Sequence, residues 1–200
     1  VAAPVGAAEA AVRVLAEQED RGVDDAVRLA SARLERFTSC FERAYLGVMR
    51  AKLGLVHEQE NDEALVEGLL ALLADARVDY TLFFRRLCDA FEPSSDAELA
   101  ALFGGNERAI RGWLETWRRR LALEADDTAC RAALRRENPA FIPRNHRVEE
   151  AIEAATNRGD FTPFETLVQV LARPYDDQPE HARLAATAPG EESRSDAFAR

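Results

Sequence analysis

The chain has 200 residues, of which 47% are hydrophobic and 31% charged, and it carries a formal net charge of −10 at pH 7. These values suit one globular domain able to bury a sizeable core. The acidic balance argues against a nucleic-acid partner or an anionic membrane surface, since either needs clustered Lys and Arg. Arginine clusters only at Arg118-Arg119-Arg120 and Arg135-Arg136, each beside acidic neighbours, which reads as a solvated face. No window approaches the roughly 18 uninterrupted apolar residues of a membrane span. Cys40, Cys88 and Cys130 lie far apart with no CxxC, which suits thiols in a reducing compartment and predicts a cytoplasmic protein without a disulfide framework.

Residues 1–22 are alanine-rich, with Val12, Leu15 and Ala16 on one face, and predict a helix between Pro4 and Gly22. This stretch has neither the basic region nor the apolar run of a secretory signal. It also opens without Met, which suggests a fragment or the product of an alternative start. Asp24 or Asp25 then caps the longest helix. Along it Val27, Ala30, Leu34, Phe37, Phe41, Tyr45 and Val48 recur at steps of three and four, up to about Leu53. Such a stripe is expected to be core. Gly54 stops the helix, and His57 to Asn61 form a polar connector.

Asp62 should cap a helix running to about Ala74, with Leu65, Leu69, Leu72 and Leu73 inward. The next is expected from about Asp79 to Phe91, crowded on one side by Tyr80, Phe83, Phe84 and Leu87. Pro93-Ser94-Ser95-Asp96 is turn chemistry, and Asp96 opens a short helix that Gly104-Gly105 breaks. Asn106 caps a helix bearing Ile110, Trp113, Leu114, Trp117 and Leu121, whose tryptophans at i, i+4 read as a packing ridge. A further helix covers about Asp127 to Glu137.

The stretch from Asn138 to Pro179 is the most locally specified. Asn138 precedes a proline and should end the helix before it. Pro143 fits a first helical turn. Val148, Ala151, Ile152, Ala154 and Ala155 form an apolar stripe opposite Glu149, Glu150 and Glu153, and Gly159 closes that helix. Thr162-Pro163-Phe164-Glu165 reads as a capping box, with Phe164, Leu167, Val168 and Leu171 inward and Pro174 forcing the end. Residues 180–200 are small, polar and poorly patterned, and predict a disordered tail behind a domain portion at 1–179. No segment alternates with period two for longer than four residues. The fold class is therefore all-α, with about eight helices, and no internal repeat is visible.

Motifs for chemistry are missing. Gly104-Gly105 has neither GxGxxG spacing nor a following Lys-Ser or Lys-Thr. His57, His146 and His181 lack HExxH spacing, and His146 and His181 read as solvated residues. Carboxylate pairs such as Glu149-Glu150 and Asp176-Asp177 are adjacent, so on a helix they diverge. No catalytic, cofactor-binding or metal-ligating residue is assigned.

An ordered set of landmarks says more. Met49-Arg50-Ala51-Lys52-Leu53-Gly54-Leu55, Asp79-Tyr80-Thr81 with Phe84-Arg85, and Trp113 and Trp117 with Arg118 come first. Asn138-Pro139, Arg144-Asn145, Ala151-Ile152, Gly159-Asp160-Phe161 and Arg173-Pro174-Tyr175 follow. Together, from about Phe41 to Pro179, they resemble the C-terminal region of the selenoprotein O (SelO, YdiU) family of kinase-like protein adenylyltransferases. The resemblance implies the helical C-terminal part of a kinase-like fold. It also implies a parent that holds ATP and Mg²⁺ and moves AMP to Ser, Thr or Tyr hydroxyls of protein substrates. The family's phosphate-handling residues lie upstream of the first landmark and map onto nothing here. The chain alone is thus expected to be structural, without ATP or Mg²⁺, and to pair with a missing N-terminal kinase-like half. The family's C-terminal Cys or Sec has no counterpart in SRSDAFAR, so the redox control that the resemblance implies is not an expectation here. Two other readings stand beside this one: a stand-alone helical interaction module, and, last, a metal- or haem-binding bundle. The first reading leaves an apolar face open, expected on the first helix and on the near end of the long helix through Val27 and Leu34.

Overall fold

The computed structural model describes residues 23–124 and 127–187. The expected first helix at 1–22 and the end of the tail from 188 onward lie outside them. The described residues hold nine α-helices and no strand, so the all-α expectation is met. These helices are α1 (Val23–Lys52), α2 (Asp62–Asp75), α3 (Tyr80–Leu87), α4 (Asp96–Ala100) and α5 (Glu107–Leu121). Then come α6 (Asp127–Glu137), α7 (Asn145–Arg158), α8 (Thr162–Leu171) and α9 (Ala182–Ala185). The chain divides into two compact units, Val1–Val48 and Met49–Arg200.

In the first unit, α1 corrects one expectation and bears out another. The stripe expected to be core is open: Leu34 is 62% exposed, Phe37 66% and Phe41 58%, and Val27, Tyr45 and Val48 are exposed with them. Phe37, Phe41 and Tyr45 lie ring beside ring, with successive centroids 6.2 Å apart. Val27 and Leu34 were the residues expected to stay uncovered, and they do. A helical period says that a face needs cover. It does not say that the described chain supplies it.

In the second unit the core forms where α5 crosses α2 and α3. Trp113 and Trp117 stack in parallel at 6.1 Å, and Phe83 meets Trp113, Phe84 and Phe103 edge-on. The ridge reading of the tryptophans holds. Each buried indole N–H finds a carbonyl at 2.9 Å, Trp113 that of Leu65 and Trp117 that of Leu53. Burying an aromatic of this size stabilises only if its polar handle is paired in this way. Gly54 ends α1 at φ +73°, and a Cβ there would come within 2.9 Å of the fully buried Leu134. Both the left-handed turn and the close approach of α6 therefore require glycine.

Several caps differ from the sequence reading. Asp62 is the first residue of α2 and not its cap, because its carboxylate is used elsewhere. Asn106 sits at the N-cap of α5 without a side-chain bond. Helix α3 is shorter than expected, with Asp79 outside it as a true cap accepting from Leu82 N at 2.6 Å. After Leu87 the chain tightens into i→i+3 turns, with Cys88, Asp89 and Ala90 N donating to Arg85, Arg86 and Leu87 O. Pro143 lies outside α7, whose N-cap is Arg144. Gly159 closes α7 at φ +64°, as expected.

The Thr162 capping box does not form. The N-cap is Phe161, and Asp160 Oδ1 accepts from Thr162 N at 3.0 Å. The bond that Glu165 was expected to return to the Thr162 amide is thus made by an acid two residues earlier, and Glu165 N donates to Phe161 O at 3.0 Å. On α8 only Leu167 and Val170 are buried, while Phe164 and Val168 are exposed and Leu171 is half-buried. On α7 Ala151 and Ala154 are buried and Ile152 is exposed. Two small residues give α7 and α8 a close but narrow seam, so the outer apolar positions stay in water. In the stretch expected to be a disordered tail, residues 182–185 form α9. Arg147 donates to Arg183 O at 3.0 Å there, and Arg183 pairs with Glu150 at 2.7 Å.

Because Asp160, not Thr162, holds the first amide of α8, Asp160→Ala should destabilise the protein more than Thr162→Ala. Chemical denaturation of the two variants gives the order, and the reverse order would restore the capping box.

Candidate functional site

Polar joints hold the second unit together, and α5 supplies the largest. Trp113, Trp117, Arg120, Leu121 and Glu124 fall at helical steps, so Arg120 comes in on the buried face. Its Nε donates to Asp62 Oδ1 at 2.6 Å, its NH1 to Glu124 Oε1 at 2.8 Å and its NH2 to His57 O at 2.5 Å. Asp62 is fully buried, and its second oxygen also takes Gln59 N at 3.0 Å. His57 Nδ1 lies 2.7 Å from Glu124 Oε2. Burial works to raise the Glu124 pKa. The bonds from His57 and Arg120 outweigh it and hold the carboxyl below its ordinary range. Beside this joint Arg118 pairs with Asp96 while gripping Ala90 O.

These contacts correct the solvated reading of Arg118-Arg119-Arg120, since only Arg119 is exposed. The helical step from Trp117 to Arg120 was the available signal. The three histidines stay in separate elements. His57 is exposed as expected. His146 is not simply solvated: it is half-buried, with a buried, unpartnered Nε2. His181 is half-buried in the 3₁₀ turn Pro179–His181. Among the described residues no three His, Cys, Asp or Glu side chains gather as a metal-holding group.

A second joint centres on Asn138, which is fully buried. Its amide donates to Lys52 O at 2.9 Å and accepts from Lys52 Nζ at 3.1 Å, and its carbonyl takes Arg85 NH1 at 3.1 Å. Arg85 continues to Tyr175 O at 3.2 Å and to Asp177, and Arg135 bridges Asp177 and Asp89. Pro174 O accepts from Ala140 N and Phe141 N at 2.8 and 3.1 Å. Lys52 Nζ lies over the rings of Tyr80 and Phe84, and burial lowers its pKa, with Glu137 offsetting part of the shift. Burial also raises the pKa of Cys88 beside Asn138, leaving an unreactive thiol. At α7, Arg144 grips Asp79 through NH1 at 2.8 Å and NH2 at 3.2 Å. A groove of about 540 Å³ runs between α7, α8 and α9, lined among others by Arg147, Glu150, Glu153, Arg158 and Arg183. Within it Arg147 and Arg183 both pair with Glu150.

The family model described as Protein adenylyltransferase SelO matches residues 19–172. The chain belongs to this family. It is 48% identical over 176 residues to the protein nucleotidyltransferase YdiU of Rhizobium meliloti, covering 86% of this chain and 36% of that protein. The YdiU proteins of Rhodopseudomonas palustris and Methylorubrum populi are 45% and 46% identical, over 89% and 92% of this chain. The chain spans 36% and 37% of their lengths. The SelO landmarks, scattered along the sequence, are largely the joints themselves. Lys52, Arg85, Asn138, Pro174 and Tyr175 meet in one, and Asp79 and Arg144 in another.

Removing one member of a buried ionic group leaves its partner desolvated and unpaired, so Arg120→Leu should cost about 3–5 kcal/mol. Arg119→Leu, on the exposed side of the same helix, should cost about 0.5 kcal/mol or less. Urea denaturation measures both.

The Asp79–Arg144 pair predicts a pH dependence. Burial pushes the Asp79 pKa up, but the Arg144 bonds and the Leu82 amide pull it below its ordinary value. Its stabilisation is therefore complete above about pH 4 and is lost as the pH falls through the depressed folded value. Over that acid window the wild type should lose more stability than Asp79→Asn does. Equal slopes in denaturation at stepped pH would remove the pair from the stability account.

Proposed function

We propose that this chain is the helical C-terminal portion of a SelO-type protein adenylyltransferase that transfers AMP from ATP to Ser, Thr or Tyr hydroxyls of protein substrates. In this reading it braces the nucleotide-binding half and performs no chemistry alone. Its partners are that N-terminal half and the protein substrates, and its compartment is the cytoplasm. Residues 1–179 form the domain portion, with α9 joined to it, and the tail follows.

One observation carries the bracing role. The three buried carboxylates among the described residues, Asp62, Asp96 and Glu124, are each held by an arginine of α5. Carboxylates saturated by guanidinium groups tie helices together and are not available to a magnesium ion. The glycine turn is likewise taken, because Gly105 N donates to Glu107 Oε1 at 3.0 Å, and a carboxylate there repels a phosphate. These carboxylates and this turn therefore do not fit Mg²⁺ and ATP. Phosphate chemistry needs metal and cationic clamps aimed at the nucleotide, and here the cations are aimed at acids. The second reading, a stand-alone interaction module, draws on the open face of α1.

A hybrid in which this chain replaces the matching third of the Rhizobium meliloti YdiU protein tests the proposal. The hybrid should transfer labelled AMP to proteins, while the chain alone should bind no ATP-Mg²⁺ in calorimetry. Saturable micromolar binding by the chain alone, or an inactive hybrid that is folded, would overturn it.

A further inference from the structure

The open face of α1 has a period that says what should cover it. Val27, Leu34, Phe41 and Val48 fall seven residues apart, and Ala30, Phe37 and Ala44 interleave with them at the second position of the same heptad. A seam that repeats every 3.5 residues is the pattern of a helix packed along another helix at a shallow angle, not across a sheet. The flanking heptad positions are Ser31, Thr38 and Tyr45 on one side and Arg33, Cys40 and Gly47 on the other, with a single charge among them. Within the described residues the seam is uncovered, from Val27 to Val48. At about 1.5 Å per residue it runs for roughly 33 Å, and a contiguous exposed apolar face of this kind marks an interaction surface.

We infer that this seam is the docking surface for one apolar helix from the remaining part of a SelO-type enzyme, lying along α1 with small side chains opposite Phe37 and Phe41. The inference rests on the reading that the chain works within a longer adenylyltransferase. The relatives provide the material for such a helix, since the chain spans 36% of the Rhizobium meliloti protein's length and the seam lies inside the family-matched residues. A second copy of the chain fits less well. An antiparallel pair would set Phe37 and Phe41 of each copy against Phe41 and Phe37 of the other. That places four phenyl rings in adjacent layers between axes that pack about 8–10 Å apart.

Cys40, an exposed thiol on the flank of the seam, reports cover directly. Its alkylation by a small maleimide is read by peptide mass spectrometry in the chain alone and in the Rhizobium meliloti hybrid. Cys40 should react about tenfold or more slowly in the hybrid, and Phe37→Asp with Phe41→Asp should return it to the rate in the chain alone, as expected for loss of central apolar contacts. Glu42→Lys, on the outer side of α1, should leave the protection intact. Both Phe positions are exposed in the chain itself, so its helical circular dichroism should not change. Equal Cys40 rates in chain and hybrid would overturn the inference even if the hybrid is active. Concentration-dependent protection in the chain alone, with a dimer by light scattering, would assign the seam to a second copy and overturn it too. Protection in a hybrid that transfers no AMP would keep the docking surface and remove the functional reading.

Discussion

The guanidinium of Arg120 is the constraint on which the second unit depends. It is nearly buried, and it meets Asp62, Glu124 and the carbonyl of His57 at once. It therefore fixes the start of α2, the end of α5 and the connector after α1. A buried ionic group of this kind adds little net energy compared with an apolar replacement of the same shape. Its effect is on alternatives: any arrangement that separates the three charges strands one of them without solvent. The tryptophan ridge one turn earlier on α5 supplies the apolar burial, and the ionic group sets the register in which that ridge packs.

The same division of labour recurs at Asn138. The amide side chain is short and has both donor and acceptor, so it can close on Lys52 from both sides while its backbone serves Arg85. The following proline keeps that residue from continuing the helix, which leaves its carbonyl free for the arginine. These joints consume polar groups that a spacing-based search for chemistry would have counted as candidates. A SelO-family chain whose charged side chains grip one another is built to hold a shape, and α1 offers that shape an unfilled seam.

What could be read from the residues was local. The helical class, the ends at Gly54, Glu137 and Gly159, and the tryptophan ridge all follow from φ preference or from 3.6-residue periodicity, which neighbours in sequence determine. Where those cues compete, the reading failed. At Thr162 the amide pairs with Asp160, two residues before it, and not with Glu165. The resemblance to the SelO family was also legible, although nothing in the spacing alone explained why those particular residues recur together.

Which faces are covered and which charges are paired was settled by long-range packing. Arg120 lies beside Arg118 and Arg119 in a run that looks solvated, yet its partner Asp62 is 58 positions away. Phe37 and Phe41 carry the period of a core residue and remain in water, while Asp62 and Asn138 carry the chemistry of surface residues and are fully buried. The order of residues was enough for the helices and for the direction in which each apolar face points, because those depend on torsions and steps within a few residues. It left burial and pairing undetermined, because they depend on which distant segment arrives opposite, and along α1 none of the described residues covers the apolar face.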